Sequence, residues 1–503
     1  MVKIDMFGRG LPLRMAIMAA CQIAFILFGY DQGVFSGIVG NENFLDTMGN
    51  PSAIILGIIV SIYTLGAFTG TIVSFWTSEP LGPRKSLWLS QVIIIAGATM
   101  QACAYSRAQM LVARFFTGIG TGIETCTVPV YQSELCEAKK RGKYVCSEPC
   151  YVALGIVIAY WFDFGISYVH GSVSWRIPIA CQIFFALLVI VIVFGLPESP
   201  RYLYKRGRNE EALQVLCDVY DQGPNDEKVA RESQDILEVI ELETLHGQYK
   251  WSQILRRDEV QTGRRILLAY GMQFMNQMGG INLVVYYVTS VFQYNVGLDR
   301  ELSLLLGGVI QIAFLLGSLY PTFYSDRFGR RQPMIWGSFG LFICMMMIAI
   351  LLSFQGTSHE KPTSEAAVAF FFLFMVIDGA SLNCVPWVYG PEILPLHVRV
   401  RGQAIGISAN WFWNFIVVMI TPTLISNLAW KGYLIFMCLN FAFVPLVYFC
   451  YPETANLTLE EIDFLFTDRT RQSLREEHSS DVGQGDGQPH PCEVHEVAAK
   501  LGP

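Results

Sequence analysis

The sequence predicts an all-α membrane protein: twelve transmembrane helices in two six-helix halves, joined by a cytosolic helical linker. Three observations predict it. The 503 residues are 52% hydrophobic and 15% charged, with mean hydropathy +0.40, whereas soluble domains carry about a quarter charged residues. Twelve apolar stretches of about twenty residues, enough to cross a ~30 Å hydrocarbon core, lie six on each side of a polar segment. Three short polar motifs recur in the same order in both halves.

Residues 1–13 form a short basic N-terminus. The first apolar stretch runs straight into a full-length span, so no cleavable signal is expected. The N-terminal half, 14–196, holds spans over 14–40, 53–77, 86–105, 110–132, 144–166 and 177–196. The linker, 197–264, is charged throughout. Leu213, Leu216 and Val219, then Ile236, Val239 and Ile240, recur at helical spacing and predict short amphipathic helices. The C-terminal half, 265–451, holds spans over 266–294, 302–325, 333–354, 366–388, 402–425 and 432–451. The segment 452–503 ends in a tail rich in Gly, Ser, His and acids, which predicts disorder beyond Thr467.

Short-loop charge sets the orientation. One side carries Lys3, Arg9, Arg14, Arg84, Lys85, Lys139, Lys140, Arg141, Lys143, Arg327, Arg330, Arg331, Arg399 and Arg401, and the other Arg107, Arg176, Arg300, Lys361 and Lys431. Both termini and the linker are therefore expected in the cytosol, with the protein multi-pass in the cell membrane. The net charge of −7 is modest and no basic run of nucleic-acid type occurs. Most of the thirteen cysteines sit inside apolar spans without metal-ligand spacing, so neither a metal nor a cofactor is expected. No zinc motif, P-loop or nucleophile elbow appears, which argues against an enzyme.

The halves repeat one another. Leu81-Gly82-Pro83-Arg84-Lys85 follows the second span, and Asp326-Arg327-Phe328-Gly329-Arg330-Arg331 follows the eighth. Glu134 and Arg141 lie seven apart after the fourth span, as do Glu392 and Arg399 after the tenth. Pro197-Glu198-Ser199 follows the sixth, and Pro452-Glu453-Thr454 the twelfth. Two parallel six-helix halves imply a transporter that rocks around a site at their interface.

These motifs carry a resemblance. With Phe28-Gly29-Tyr30-Asp31, Arg114-x-x-x-Gly118-x-Gly120-x-Gly122, Pro129-x-Tyr131-x-Ser133-Glu134, Arg141-Gly142, Pro200-Arg201 and the stretch from Gln277 to Asn282, the chain resembles the sugar porter family of the major facilitator superfamily over residues 14–466. Within it, Ala159-Tyr160-Trp161-Phe162-Asp163-Phe164-Gly165 and Ser174-Trp175-Arg176 are most similar to fungal glycerol–proton symporters. The resemblance implies secondary transport of a small sugar or polyol by alternating access, with proton symport. A facilitative uniporter, a non-transporting nutrient sensor and an exporter of a specialised metabolite are the alternatives. The expected partners are a small polyhydroxylated solute, protons and the lipid bilayer, with no nucleic acid and a monomeric state.

Asp31 is the sharpest single signal, because an ionised carboxylate inside a bilayer needs a partner, a water path or a role. The plain alternative is a solvated residue at the outer mouth. By the expected span ends, Asp31 lies nine residues and Arg114 four from the outer side, and the resemblance makes them the proton-coupling pair. The glycines after Arg114 follow no strand, so close helix packing explains them better than a dinucleotide loop.

Gln273, Asn276, Gln277 and Asn282 put four amides in the seventh span, offering donors and acceptors to a hydroxylated solute. Interhelical hydrogen bonding is the alternative use. The resemblance places the solute at this wall, with Asn276 standing where Gln is usual. It also implicates Trp387, otherwise an interfacial anchor, and Asn410 and Asn414, an i,i+4 pair able to face one pocket. Arg84, Glu134, Arg141, Asp326, Arg330, Arg331, Glu392 and Arg399 form the mirrored loops. Their arrangement suggests salt bridges between the halves that latch the outward-open state. The first copy departs from the family pattern at Glu79-Pro80 and Pro83. Glu124, Glu148 and Asp378 are further acids within spans, with solvation or a share in coupling both open. Pro149 stands where hexose porters usually carry a sugar-binding Gln, so a small polyol is expected to be preferred over glucose.

Overall fold

The computed structural model describes residues 6–136, 141–245, 261–395, 398–455, 457, 462 and 465–466. The expected tail disorder and the side chains of Arg141 and Asp326 lie outside the described residues.

Six crossings build the N-terminal half: α1 (Leu11–Ile38), α3 (Ala53–Leu81), α4 (Pro83–Ala102), α5 (Arg107–Leu135), α6 (Arg141–Ile166) and α7 (Val173–Phe194). A short helix α2 (Glu42–Thr47) lies in the first loop. Serines set several starts: Ser52 caps α3 by accepting from Ile55 N–H, and Ser106 caps α5 by accepting from Gln109 N–H. The C-terminal half repeats the plan with α11 (Thr262–Met278) continued by α12 (Ile281–Val291), then α13 (Arg300–Phe328), α14 (Arg331–Leu352), α15 (Glu360–Ala380) continued by α16 (Val385–Ile393), α17 (Arg399–Thr423) and α18 (Lys431–Cys450). Among the described residues, nine helices are long and apolar enough to span a membrane by themselves. The other three crossings are α4, α5 and the α11–α12 pair, whose polar residues face the interior. Large apolar side chains such as Phe184, Leu316, Phe323 and Phe449 point outward, as a lipid-facing surface requires.

The structure differs from the expected spans in two places. The seventh crossing breaks at Gly279-Gly280, where Gly280 has φ +102° and an added Cβ would press on Met345 and Phe436. The tenth breaks between Ala380 and Val385, just before Pro386. Hydropathy reads each as one stretch because the broken turns carry no charge and lie within apolar runs. The breaks release backbone carbonyls within the bundle, which side-chain amides then take up.

The glycines after Arg114 do serve packing: Gly118 and Gly122 of α5 sit against the backbone of α3, where any Cβ would overlap the Tyr63 and Ala67 carbonyls. The halves meet along α3 with α17 and α6 with α13, and α1 meets α12. Three linker helices, α8 (Pro200–Lys205), α9 (Asn209–Tyr220) and α10 (Glu227–Leu245), pack on one end of the N-terminal half, here called the linker face. α9 turns Ala212, Val215, Leu216 and Val219 inward, and Arg9 pairs with its Asp218 at 3.0 Å.

Candidate solute and proton site

Asp31 is seven residues from the end of α1 at Ile38, and Arg114 seven from the start of α5 at Arg107. Both therefore lie about 10 Å below the far face, closer in level than the expected span ends implied. Both are fully buried, and Arg114 Nη1 stands 3.6 Å from Asp31 Oδ1. Arg114 also donates to the Val60 carbonyl at 3.0 Å and stacks on the rings of Phe35 and Tyr63, at 3.8 and 4.7 Å. The guanidinium is thus held by groups that do not titrate with it. Protonating Asp31 would release the ion pair without freeing Arg114.

The amides form two relays that end on the carbonyls of the broken tenth crossing. Asn282 donates to Gln277, Gln277 to Asn276 at 2.7 Å, and Asn276 to the Leu382 carbonyl at 2.6 Å. Asn410 of α17 donates to Gln273 at 2.8 Å, and Gln273 to the Pro386 carbonyl at 3.3 Å. Asn414 is buried with its carbonyl oxygen unbonded among the described residues, and Trp387 is only slightly exposed beside Pro386. Trp411 is wholly buried; it donates to Thr125 of α5 across the interface and packs on Phe28 and Tyr63. Such a wall can exchange amide–amide bonds for bonds to solute hydroxyls at little net expense.

Sequence reasoning missed the contact between halves at the far face. The Ser36 and Thr289 hydroxyls lie 3.1 Å apart, and Thr289 donates to the Ser36 carbonyl at 2.8 Å. Tyr160 donates to the Val285 carbonyl and sits 2.6 Å from Ser36 Oγ, while Tyr168 donates to Glu301 at 2.7 Å. Asp163 accepts from Gly37 N–H at 3.2 Å beside this seam. Tyr160 and Asp163 stand within a motif already noted; Ser36 and Thr289 carry no sequence signal. The far face is bonded shut.

On the linker face the mirrored motifs build two matching clamps. Glu198 accepts from Arg84 N–H at 2.9 Å, and Glu453 from Arg330 and Arg331 N–H at 2.7 and 3.0 Å. Ser199 donates to Glu134, and Thr454 to Glu392 at 2.7 Å. Tyr131 donates to the Pro197 carbonyl at 2.6 Å, and Tyr389 to the Pro452 carbonyl at 2.9 Å. Arg84 donates to the Val193 and Phe194 carbonyls ending α7, as Arg331 does to Tyr448 near the end of α18. Burial pushes the Glu198 carboxyl above the usual carboxylate range, against the Arg84 and Ser199 N–H groups and the charges of Arg84 and Lys85. Arg330 pairs with Glu392 at 2.9 Å; its counterpart by position is Pro83. Arg399 donates to the Leu394 carbonyl at 3.3 Å. These bonds join elements of the same half.

A family profile described as "Sugar (and other) transporter" matches residues 15–466. This chain belongs to that family. It is similar to the MFS-type transporter oryC of Aspergillus oryzae, 39% identical over 453 residues, covering 89% of this chain and 84% of the relative. The sugar transporter STL1 of Saccharomyces cerevisiae is 36% identical over 470 residues, covering 91% and 82%. In fold it matches the proton:xylose symporter XylE of E. coli, bound to 6-bromo-6-deoxy-D-glucose, with TM-score 0.77 at 24% identity, covering 90% of this chain and 99% of that one. The chain is a multi-pass secondary transporter with the major facilitator fold, and not an enzyme.

Proposed function

We propose that the chain moves a small polyol, in symport with a proton, through the cell membrane by alternating access. The observation that carries this reading is the buried Asp31–Arg114 pair at the level of the far-face seam, in the same bundle as the amide relays. A proton on Asp31 removes its attraction to Arg114, and that change can bias which way the halves open. One proton crossing 100 mV supplies about 2.3 kcal/mol, enough to drive a large solute gradient. The positive-charge bias assigns the linker face and both termini to the cytosol. The route is proposed to run between the two halves of one chain, which makes the working unit a monomer. In this far-face-closed state the mirrored charges brace each half; with the linker face closed, Glu134, Arg141, Asp326, Glu392 and Arg399 are proposed to bridge the halves as a latch.

The polyol preference rests on α6, where Pro149 offers no side-chain partner to a solute hydroxyl and no backbone N–H. A buried hydroxyl left unpaired costs roughly 1–3 kcal/mol, which a smaller polyol avoids by not reaching that wall. Proteoliposome uptake of glycerol, arabitol, sorbitol, xylose and glucose, with and without an imposed pH gradient, tests both parts. The reading expects a polyol to be preferred and uptake to follow the gradient. Glucose winning by about tenfold or more overturns the preference, and uptake indifferent to pH gives a uniporter.

A further inference from the structure

Glu124 has no part in the reading above. It lies in the middle of α5, 1% exposed, with neither carboxyl oxygen bonded to any described residue. It also belongs to a file. At 3.6 residues per turn, Arg114, Thr117, Thr121, Glu124 and Gln132 fall within roughly 80° of one another around α5, and each is at most 1% exposed. Arg114 heads the file against Asp31. Thr117 accepts from Gln101 of α4, and Thr121 donates to the Thr117 carbonyl. Glu124 follows ten residues, about 15 Å, below Arg114, and stands eleven, about 16 Å, above the helix end at Leu135. The Gln132 amide, also without a partner among the described residues, lies between it and the linker face.

The helices packed on α5 bring Asp31 from α1, Tyr63 from α3, Gln91 from α4 and Glu148 from α6. Those acting on Glu124 are the Gln91 amide and the Asp31 carboxylate, and Arg114 is already engaged by Asp31. A carboxyl so deeply buried, with no counter-charge among the described residues, is costly to keep inside a bilayer. A neutral side chain facing the Gln91 amide of α4 would serve packing equally well, so packing does not require an acid here. What it offers is a place for a proton midway between the Asp31–Arg114 pair and the linker face.

We propose that Glu124 is a second proton-carrying carboxylate, receiving the proton that Asp31 gives up and passing it towards the linker face along the buried polar face of α5. In the transfer Asp31 becomes a carboxylate paired with Arg114, and Glu124 becomes the neutral acid. Glu124 then releases its proton to water at the linker side. The proposal rests on the proton-symport reading, and the test separates the two.

Glu124→Gln, Glu124→Asp and Asp31→Asn are compared in proteoliposomes, using the best-transported of the five solutes above. Solute-driven proton movement and solute counterflow are both measured. Glu124→Gln is expected to lower proton movement by about tenfold or more, as Asp31→Asn does, with counterflow falling less than about threefold and Glu124→Asp retaining proton movement. Wild-type proton movement in Glu124→Gln beside its loss in Asp31→Asn overturns the role of Glu124 alone. Equal loss of counterflow in Glu124→Gln overturns it too, since the residue then serves solute binding or the fold. Proton movement persisting in Asp31→Asn overturns Asp31 as the coupling acid instead, and its absence from the wild type overturns the symport reading. Should Glu124→Gln fail to fold, infrared spectra of the wild type and Glu124→Asp decide. A carboxyl C=O band that responds to solute and shifts in the Asp variant supports the proposal, and its absence refutes it.

Discussion

On the far face the two halves meet through hydroxyls; on the linker face each half is braced by charged groups. The far seam joins Ser36 and Tyr160 of one half to Val285 and Thr289 of the other, residues with no repeat-related counterparts in the motifs. The linker-face clamps are nearly superimposable in chemistry, Glu198 matching Glu453, Ser199 matching Thr454, and Tyr131 matching Tyr389. The difference teaches how a rocking protein divides its tasks. Neutral hydrogen bonds contribute about 0.5–1.5 kcal/mol each, so a few can close a face and still open on the transport timescale. Partly buried charges that lose a partner cost about 3–5 kcal/mol, which suits bonds that keep each half rigid throughout the cycle.

The comparison breaks most severely at Arg330. Arg330→Ala leaves Glu392 with the Thr454 hydroxyl but without its counter-charge in a partly buried site, and a stability loss of up to about 3 kcal/mol is expected, read as a lower melting temperature of the purified protein in detergent. A melting temperature within error of the wild type would show that the clamp does not brace its half. Arg399→Ala is next. It should widen the linker face and slow turnover while changing solute affinity less, as spin-label distances across that face and uptake kinetics would register; no widening counts against the latch. At the far seam, Tyr160→Phe removes one donor to the Val285 carbonyl. A shift of about 1 kcal/mol towards far-face-open forms should appear as longer spin-label distances there, with stability little changed. The smallest effect is expected from Pro83→Arg, which sets a guanidinium at the position that Arg330 holds in the other clamp. A gain of no more than about 1 kcal/mol in stability would sharpen the case that the two clamps are one device built twice.

These expectations also mark what the sequence makes legible. The crossings, the linker helices and the paired motifs are readable because hydropathy and repetition act over many residues. Asp31 and Arg114 are readable because charge within an apolar run is rare. The breaks at Gly279-Gly280 and Ala380–Val385 are not, since neither carries a charge and both lie within apolar runs, and the close approach of Met345 and Phe436 to Gly280 is a matter of tertiary packing. The seam is not legible either: Ser36 and Thr289 are ordinary hydroxyls 253 positions apart. The correspondence of Tyr131 with Tyr389 could have been found, because each stands three residues before the glutamate of its motif. The amide wall was legible as a group of side chains, whereas its connection to the Leu382 and Pro386 carbonyls needed the break in the tenth crossing to be seen.

Asp31→Asn tests the central claim most directly, because Asp31 is the buried carboxylate proposed to couple proton and solute. In proteoliposomes with an inward proton gradient, the variant should fail to concentrate solute while counterflow exchange remains measurable. A variant that still accumulates solute against its gradient would contradict the assignment of Asp31 as the coupling acid.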